Sequence, residues 1–212
     1  MAPGKAWRRN LRLGYERWQA LALKRNLPEF IKVLFIAEAP PSIQSHRFFY
    51  FLDLSSFDTL FLEMMKVLYP KETGFSENLS SFLPGYSASR MRSHKAELLQ
   101  RFQLDGFYLI DASARPMPAH ATSQIKTRYL QEEFPGLLRR LRSLRVDHTT
   151  PIILVGALTF RVCAPKLRKE GFHILHDVAI NHPARGGQRL FRMGLKAALK
   201  PDISSSNAYR FD

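Results

Sequence analysis

Four short apolar runs, Lys32–Ile36, Phe107–Ile110, Ile152–Val155 and Phe172–Leu175, alternate with longer stretches in which apolar residues recur every three or four positions. Runs this short suit strands, and the intervening periodicity suits helices. Strands separated by helical crossovers pair in parallel. The expected fold is therefore α/β: three layers, α/β/α, around a central four-stranded, mostly parallel sheet. Helices are expected over Phe57–Leu68, Arg90–Phe102, Lys126–Leu144, Leu158–Lys169 and about Gln188–Leu199.

The flanks follow the same logic. Trp7, Leu11, Tyr15, Trp18, Leu21 and Ala22 keep helical spacing ahead of Pro28, so residues 1–28 are expected to form a helix docked on the core, with Arg8, Arg9, Arg12 and Arg17 in solvent. The same arginines also suit a transit peptide. The segment Tyr69–Ser89, rich in Ser, Gly and Pro, reads as a surface excursion, and Pro201–Asp212 as a flexible tail. No internal repeat or linker divides the chain, and 212 residues of 45% hydrophobic content suffice for one core, so a single domain over 1–212 is expected.

Charge narrows the class of partner. Thirty-two Lys and Arg against eighteen Asp and Glu give a net charge of +14, which suits a polyanion. The basic residues are dispersed rather than gathered beside an apolar anchor, and no run approaches the roughly 20 apolar residues of a membrane span. Nucleic acid is the expected partner, not a membrane. The single cysteine, Cys163, excludes an internal disulfide and a four-cysteine cluster, and it reads as a buried small hydrophobe. The first residues lack the apolar stretch of a secretory signal, which points to a reducing compartment: the cytoplasm, beside the nucleoid, if the source is bacterial.

Two turns carry chemistry. Ala37-Glu38-Ala39-Pro40-Pro41 follows the first strand, and Asn181-His182-Pro183-Ala184 precedes the last helix. Open α/β sheets collect such turns at the carboxyl edge of their strands. Two prolines stiffen the exit from Glu38. Taken alone, Glu38 suits a helix cap better than a catalyst, and His182 suits a loop histidine bonded to backbone as well as it suits catalysis.

Together the two turns resemble the motifs of the uracil-DNA glycosylase superfamily. The first resembles its Gly-Glu-Ala-Pro-Gly motif, with Ala37 and Pro41 in place of the glycines, and the second its His-Pro motif near the C-terminus. Asp111-Ala112-Ser113-Ala114-Arg115-Pro116 resembles the segment after the second strand in the iron-sulfur branches, with Ala114 where a cysteine is usual. The order of these motifs is kept over most of Lys32–Leu199.

The resemblance implies a uracil-DNA glycosylase-like fold that flips a damaged or deaminated base from DNA and hydrolyses its N-glycosidic bond in base excision repair. Such a reaction develops positive charge on the sugar and negative charge on the base. Glu38 would orient water and stabilise the sugar. At an effective dielectric of about 20, a charge about 4 Å away contributes roughly 4 kcal/mol, about three decades in rate. Asp53 is the rival carboxylate, although with Ser55 and Ser56 it also suits a helix cap. His182 would stabilise the departing base.

From the aromatic run Phe48-Phe49-Tyr50-Phe51, Phe49 is the chosen stacking ring, against a core role that suits its neighbours equally. Ala39 and Asp111 are placed at the base, Asp111 standing where many members carry an Asn. An ionised Asp only accepts hydrogen bonds, so it would favour an exocyclic amine unless it is protonated. A register shifted by one residue would leave it structural. Arg185, Gly187, Gln188 and Arg189 are expected to meet DNA, with Arg185, Gln188 or Leu190 filling the gap left by the base; an ordinary glycine-rich start to a helix is the plain alternative.

Arg139-Arg140-Leu141-Arg142, with Arg145, reads as a solvated helix face. No cofactor, metal or iron-sulfur cluster is expected, the protein is expected to be a monomer, and the lack of an obvious activated lysine favours a monofunctional hydrolase. A glycosylase-like module that binds or senses damage without turnover is the alternative function. A nucleotide-binding enzyme is weaker, because no glycine-rich phosphate loop follows the first strand.

Overall fold

The computed structural model describes residues 16–42, 47–52, 58–184 and 186–203, with side chains described through residue 200. Helix α1 covers 16–25 of these. It is followed by β1 (Val33–Ala37), α2 (Thr59–Leu68), α3 (Pro70–Thr73), β2 (Phe75–Ser76), β3 (Ser81–Phe82), α4 (Ala88–Ser93) and α5 (Lys95–Leu104). Then come β4 (Phe107–Asp111), α6 (Ser123–Ser143), β5 (Ile152–Leu154), α7 (Ala157–Lys169) and α8 (Gln188–Ile203).

Three strands form a parallel sheet in the order β4-β1-β5. In register, Val33 to Ala37 face Phe107 to Asp111, and Leu34 to Ile36 face Ile152 to Leu154. Leu34, Phe35, Ile36, Ile152, Ile153 and Leu154 are fully buried, as expected of a parallel sheet covered on both faces. Helix α5 packs on β4, α6 on α7, and α2 on α8. The crossovers β1→β4 and β4→β5 run in opposite directions along the sheet, which under the right-handed rule for parallel connections carries their helices to opposite faces. The protein is thus α/β, in an arrangement compatible with three layers.

The strand expected at Phe172–Leu175 is replaced by two separate parallel bridges, Ile152 with Ile174 and Val155 with Ile180. Between them His176 inserts its side chain where a backbone acceptor would stand. The Leu154 amide donates to its Nε2 at 2.9 Å, and its Nδ1 donates to the Val178 carbonyl at 2.8 Å. Burial pushes the His176 pKa down, which keeps the acceptor nitrogen free of a proton. Hydrophobic pattern carries no trace of this substitution.

Helix α1 docks, but through a different face from the one expected. Gln19 is buried and Ala22 and Leu23 meet the core, while Trp18 and Leu21 are exposed. Polar ties fix this orientation: the Tyr108 hydroxyl donates to the Leu23 carbonyl at 3.1 Å, and Gln103 Nε2 donates to the carbonyls of Arg25 and Leu27. Trp7, Leu11, Tyr15 and the arginines at 8, 9 and 12 lie outside the described residues; Arg17 is exposed. The helix expected over Arg90–Phe102 breaks at His94 into α4 and α5. Of the expected tail, residues 201–203 continue α8, and 204–212 lie outside the described residues.

The segment Tyr69–Ser89 is more than a surface excursion. It folds into α3 and the antiparallel pair β2–β3, and a charged network ties it to α8. Arg192 is bonded to Glu63 of α2, and its Nε donates to Glu77 at 2.9 and 3.0 Å. Lys196 reaches Glu77 at 3.2 Å, Lys66 reaches Glu63 at 2.6 Å, and the Arg192 guanidinium stacks 4.6 Å from the Phe75 ring centre.

Candidate functional site at the carboxyl edge of the sheet

The ladder between β1 and β4 continues past the strands: the Ala112 amide donates to the Ala37 carbonyl at 2.7 Å and the Ser113 amide to the Glu38 carbonyl at 3.2 Å. On the other side, the Val155 amide donates to Ile36 and the Gly156 amide to Ile180, both at 2.8 Å. Asp111, Glu38, Gly156 and the Asn181–His182 turn therefore emerge at one edge. Adjacent rows lie about 4.8 Å apart, so the row of Glu38 and the row of His182 are separated by roughly 10 Å. This edge includes the switch point between β1 and β5, where open α/β sheets bind ligands.

Helix α6 supports the first half of the edge with one stripe. Lys126, Glu133 and Arg140 are spaced by seven residues, about two turns, and so share a face. Lys126 Nζ lies 3.6 Å from Glu38 Oε1. Glu133 accepts from the Ala114 amide at 3.3 Å and from Arg115 Nη2 at 2.5 Å. Arg140 donates to the Asp111 and Ala112 carbonyls, both at 2.7 Å. Arg140 is half-buried, which corrects its reading as part of a solvated face, whereas Arg139, Arg142 and Arg145 are exposed as expected. The sequence signal that identifies Arg140 is its register with Lys126 and Glu133.

Asp111 is half-buried at the end of β4. Burial pushes its pKa up to about 7; the Arg140 charge pulls it down and the Glu38 charge pushes it up. Below that value the side chain carries one donor and one acceptor, as an amide does.

Why the second motif is His-Pro-Ala follows from backbone chemistry. Pro183 has no N–H, so the first free amide after His182 is that of Ala184, and it donates back to His182 Nδ1 at 3.2 Å. The proton of the neutral ring therefore sits on Nε2, available to an acceptor. His182 is exposed, and partial desolvation of the ring shifts its pKa below the ordinary imidazole value, which favours the neutral form. Gly187 closes the turn: a β-carbon there would lie 2.7 Å from the His182 carbonyl oxygen and 3.2 Å from that of Ala184. Gly187→Ala is expected to destabilise the fold by about 1–3 kcal/mol through this overlap. The same substitution should shift the His182 imidazole nitrogens, checked by denaturant unfolding together with nitrogen NMR of the ring. At the start of α8, Gln188 is half-buried, and Arg189, Leu190 and Met193 are exposed.

Two further groups lie at this edge without having been singled out from sequence. Gly156, with φ +104°, stands at the N-cap of helix α7, which has no side-chain cap. The buried Thr159 hydroxyl has no hydrogen-bond partner and lies 3.4 Å from where a β-carbon on Gly156 would stand. An uncapped helix start of this kind favours negative charge.

Phe49 departs from its expected role. It is buried, with the ring centres of Tyr50, Phe61 and Phe102 at 5.0, 5.8 and 5.6 Å, so its faces are taken up by the core and not open to a base. Tyr50 stitches the run to β4, its hydroxyl donating to the Leu109 carbonyl and accepting from the Leu109 amide. Phe51 is partly exposed and Ala39 is half-buried. Asp53 and Arg185 lie outside the described residues.

Lys95 is fully buried, its Nζ lacks a hydrogen-bond partner, and burial pushes its pKa down to about 7. Packed over the Phe61 ring at 4.4 Å, it is closed to a substrate carbon. A depression of ≈ 480 Å³ lined by residues such as Phe30, Leu144 and Thr150 lies at the opposite end of the strands, away from these groups. Among the described residues no three His, Cys, Asp or Glu side chains gather as a metal site, and no helix is long and apolar enough to cross a membrane. No protein-family model, no curated protein and no solved structure matches the chain.

Proposed function

We propose that the chain is a monofunctional DNA glycosylase of the uracil-DNA glycosylase superfamily, a hydrolase that extrudes a damaged or deaminated base and cleaves its N-glycosidic bond in base excision repair. The convergence of Glu38, Asp111 and His182 at one carboxyl edge, on a chain of charge +14, carries this reading. On it, the row of bridges at Ile174 and Ile180 is the fourth strand of a glycosylase-like sheet.

Glu38 stabilises the sugar cation and orients water, with Asp53 as the rival carboxylate. Neutral His182 donates from Nε2 to the departing base, a role in which a lowered pKa helps, because a neutral donor leaves the proton with the enzyme. Asp111 reads the base edge beside Ala39. Arg185, Gly187, Gln188 and Arg189 follow the backbone, and exposed Leu190 fills the space that the base leaves. The partner is DNA, the protein acts as a monomer without a cofactor, metal or iron-sulfur cluster, and in a bacterial cell it works in the cytoplasm at the nucleoid.

The test is cleavage of duplexes carrying uracil, hypoxanthine, xanthine or a mismatch, read on a gel after strand scission at abasic sites. Release of one of these bases is expected, and His182→Ala is expected to slow it about a hundred- to a thousandfold by removing a donor to the leaving group. Tight DNA binding with no release from any duplex overturns the enzymatic reading. It would favour the binding or damage-sensing module instead, for which the Glu38–Lys126 ion pair speaks, since it already neutralises the carboxylate.

A further inference from the structure

Arg140 commits both terminal nitrogens to the turn that ends β4. A planar guanidinium on two successive carbonyls fixes the peptide plane between them, and a lysine has no equivalent fork. Its own burial depresses its pKa, with the charges of Asp111 and Glu133 opposing that shift. The charged and titratable groups felt at Asp111 come from three directions: Arg140 on α6, Glu38 after β1, and the Tyr50 hydroxyl at the Leu109 backbone.

We infer that Arg140 is a positioning residue for base recognition, which aims Asp111 along the sheet edge and, against Glu38, decides which hydrogen-bonding pattern the Asp111 carboxyl presents. The inference rests on the glycosylase reading and narrows its substrate class. A base with a ring N–H beside a carbonyl, the lactam edge of uracil or hypoxanthine, needs an acceptor and a donor side by side. The acid form of Asp111 supplies both, whereas the carboxylate sets an acceptor against the base carbonyl. Because burial holds the Asp111 pKa near 7, the acid form is dominant below that pH and declines as pH rises through it. Excision of a lactam base is therefore lost on the alkaline side, by roughly tenfold per pH unit.

The experiment follows the Asp111 carboxyl by carbon NMR across pH in the full chain, alongside single-turnover excision from a uracil duplex. The wild-type midpoint is expected near 7. Arg140→Met is expected to raise it by about one unit, through loss of an opposite charge, and to carry excision to correspondingly higher pH. Arg140→Lys, which keeps the charge and loses the fork, is expected to hold the midpoint and slow excision about tenfold. A midpoint that Arg140→Met leaves unmoved in an active protein overturns the inference alone. No excision by the wild type at any pH overturns the glycosylase reading and the base-reading role with it, and the midpoint still reports the coupling. Should Arg140→Met fail to fold, Glu38→Gln is the second test, with the midpoint expected to fall and an unchanged value counting against the inference.

Discussion

Glu38→Gln is expected to slow base release about a thousandfold in single-turnover assays while leaving duplex affinity within a few-fold of wild type. The substitution keeps the shape of the side chain and removes its charge. At an effective dielectric of about 20, that charge about 4 Å from the sugar is worth roughly 4 kcal/mol in the transition state. It is worth little in the bound ground state, where the sugar is neutral, so the loss falls on kcat rather than on binding. Lys126, 3.6 Å away, offsets part of the field in the free protein. A rate within tenfold of wild type would remove Glu38 from the chemistry. If Asp53→Asn then proved the more damaging change, the carboxylate role would pass to Asp53.

Arg192→Met is expected to cost about 3–5 kcal/mol of folding stability, read as a lower urea midpoint at unchanged slope. Breaking a buried ion pair strands the remaining charge. Here the stranded groups are Glu63, itself buried, and Glu77, which would keep only Lys66 and Lys196 respectively. The double substitution Arg192→Met with Glu63→Leu should recover much of the loss, since apolar groups of similar volume replace buried pairs at little cost. A small effect of the single change would show that water reaches Glu63. Because α8 begins just after the His182 turn, the same lesion should loosen that turn as well.

The pattern of apolar runs was enough to read the parallel sheet, because strands buried on both faces leave continuous stretches such as Val33–Ile36. It was enough as well for α6 and α7, whose ends shift by only a few residues from those expected. Pattern failed where a polar side chain decides the outcome. His176 ends what reads as a strand by giving the Leu154 amide an imidazole acceptor. Gln19, buried on α1, turns that helix away from the stripe that Trp18 and Leu21 suggest. At the site, Glu38 and His182 could be singled out because each follows a strand-like run. Phe49 could not be assigned correctly, because four consecutive aromatics give no sign of which faces inward. Arg140 hid among exposed arginines, since its carbonyl partners leave no mark on a sequence and its seven-residue register with Lys126 and Glu133 is the sign that sets it apart.

The broken fourth row has a consequence for how these molecules meet one another. A continuous outer strand would present a regular ribbon of donors and acceptors, a template onto which a second chain can add and begin a fibre. Here the row beyond β5 pairs with it through separate bridges at Ile174 and Ile180, with the imidazole of His176 bonded to the Leu154 amide between them. A margin so interrupted offers no regular ladder to extend, so strand addition on that side is disfavoured.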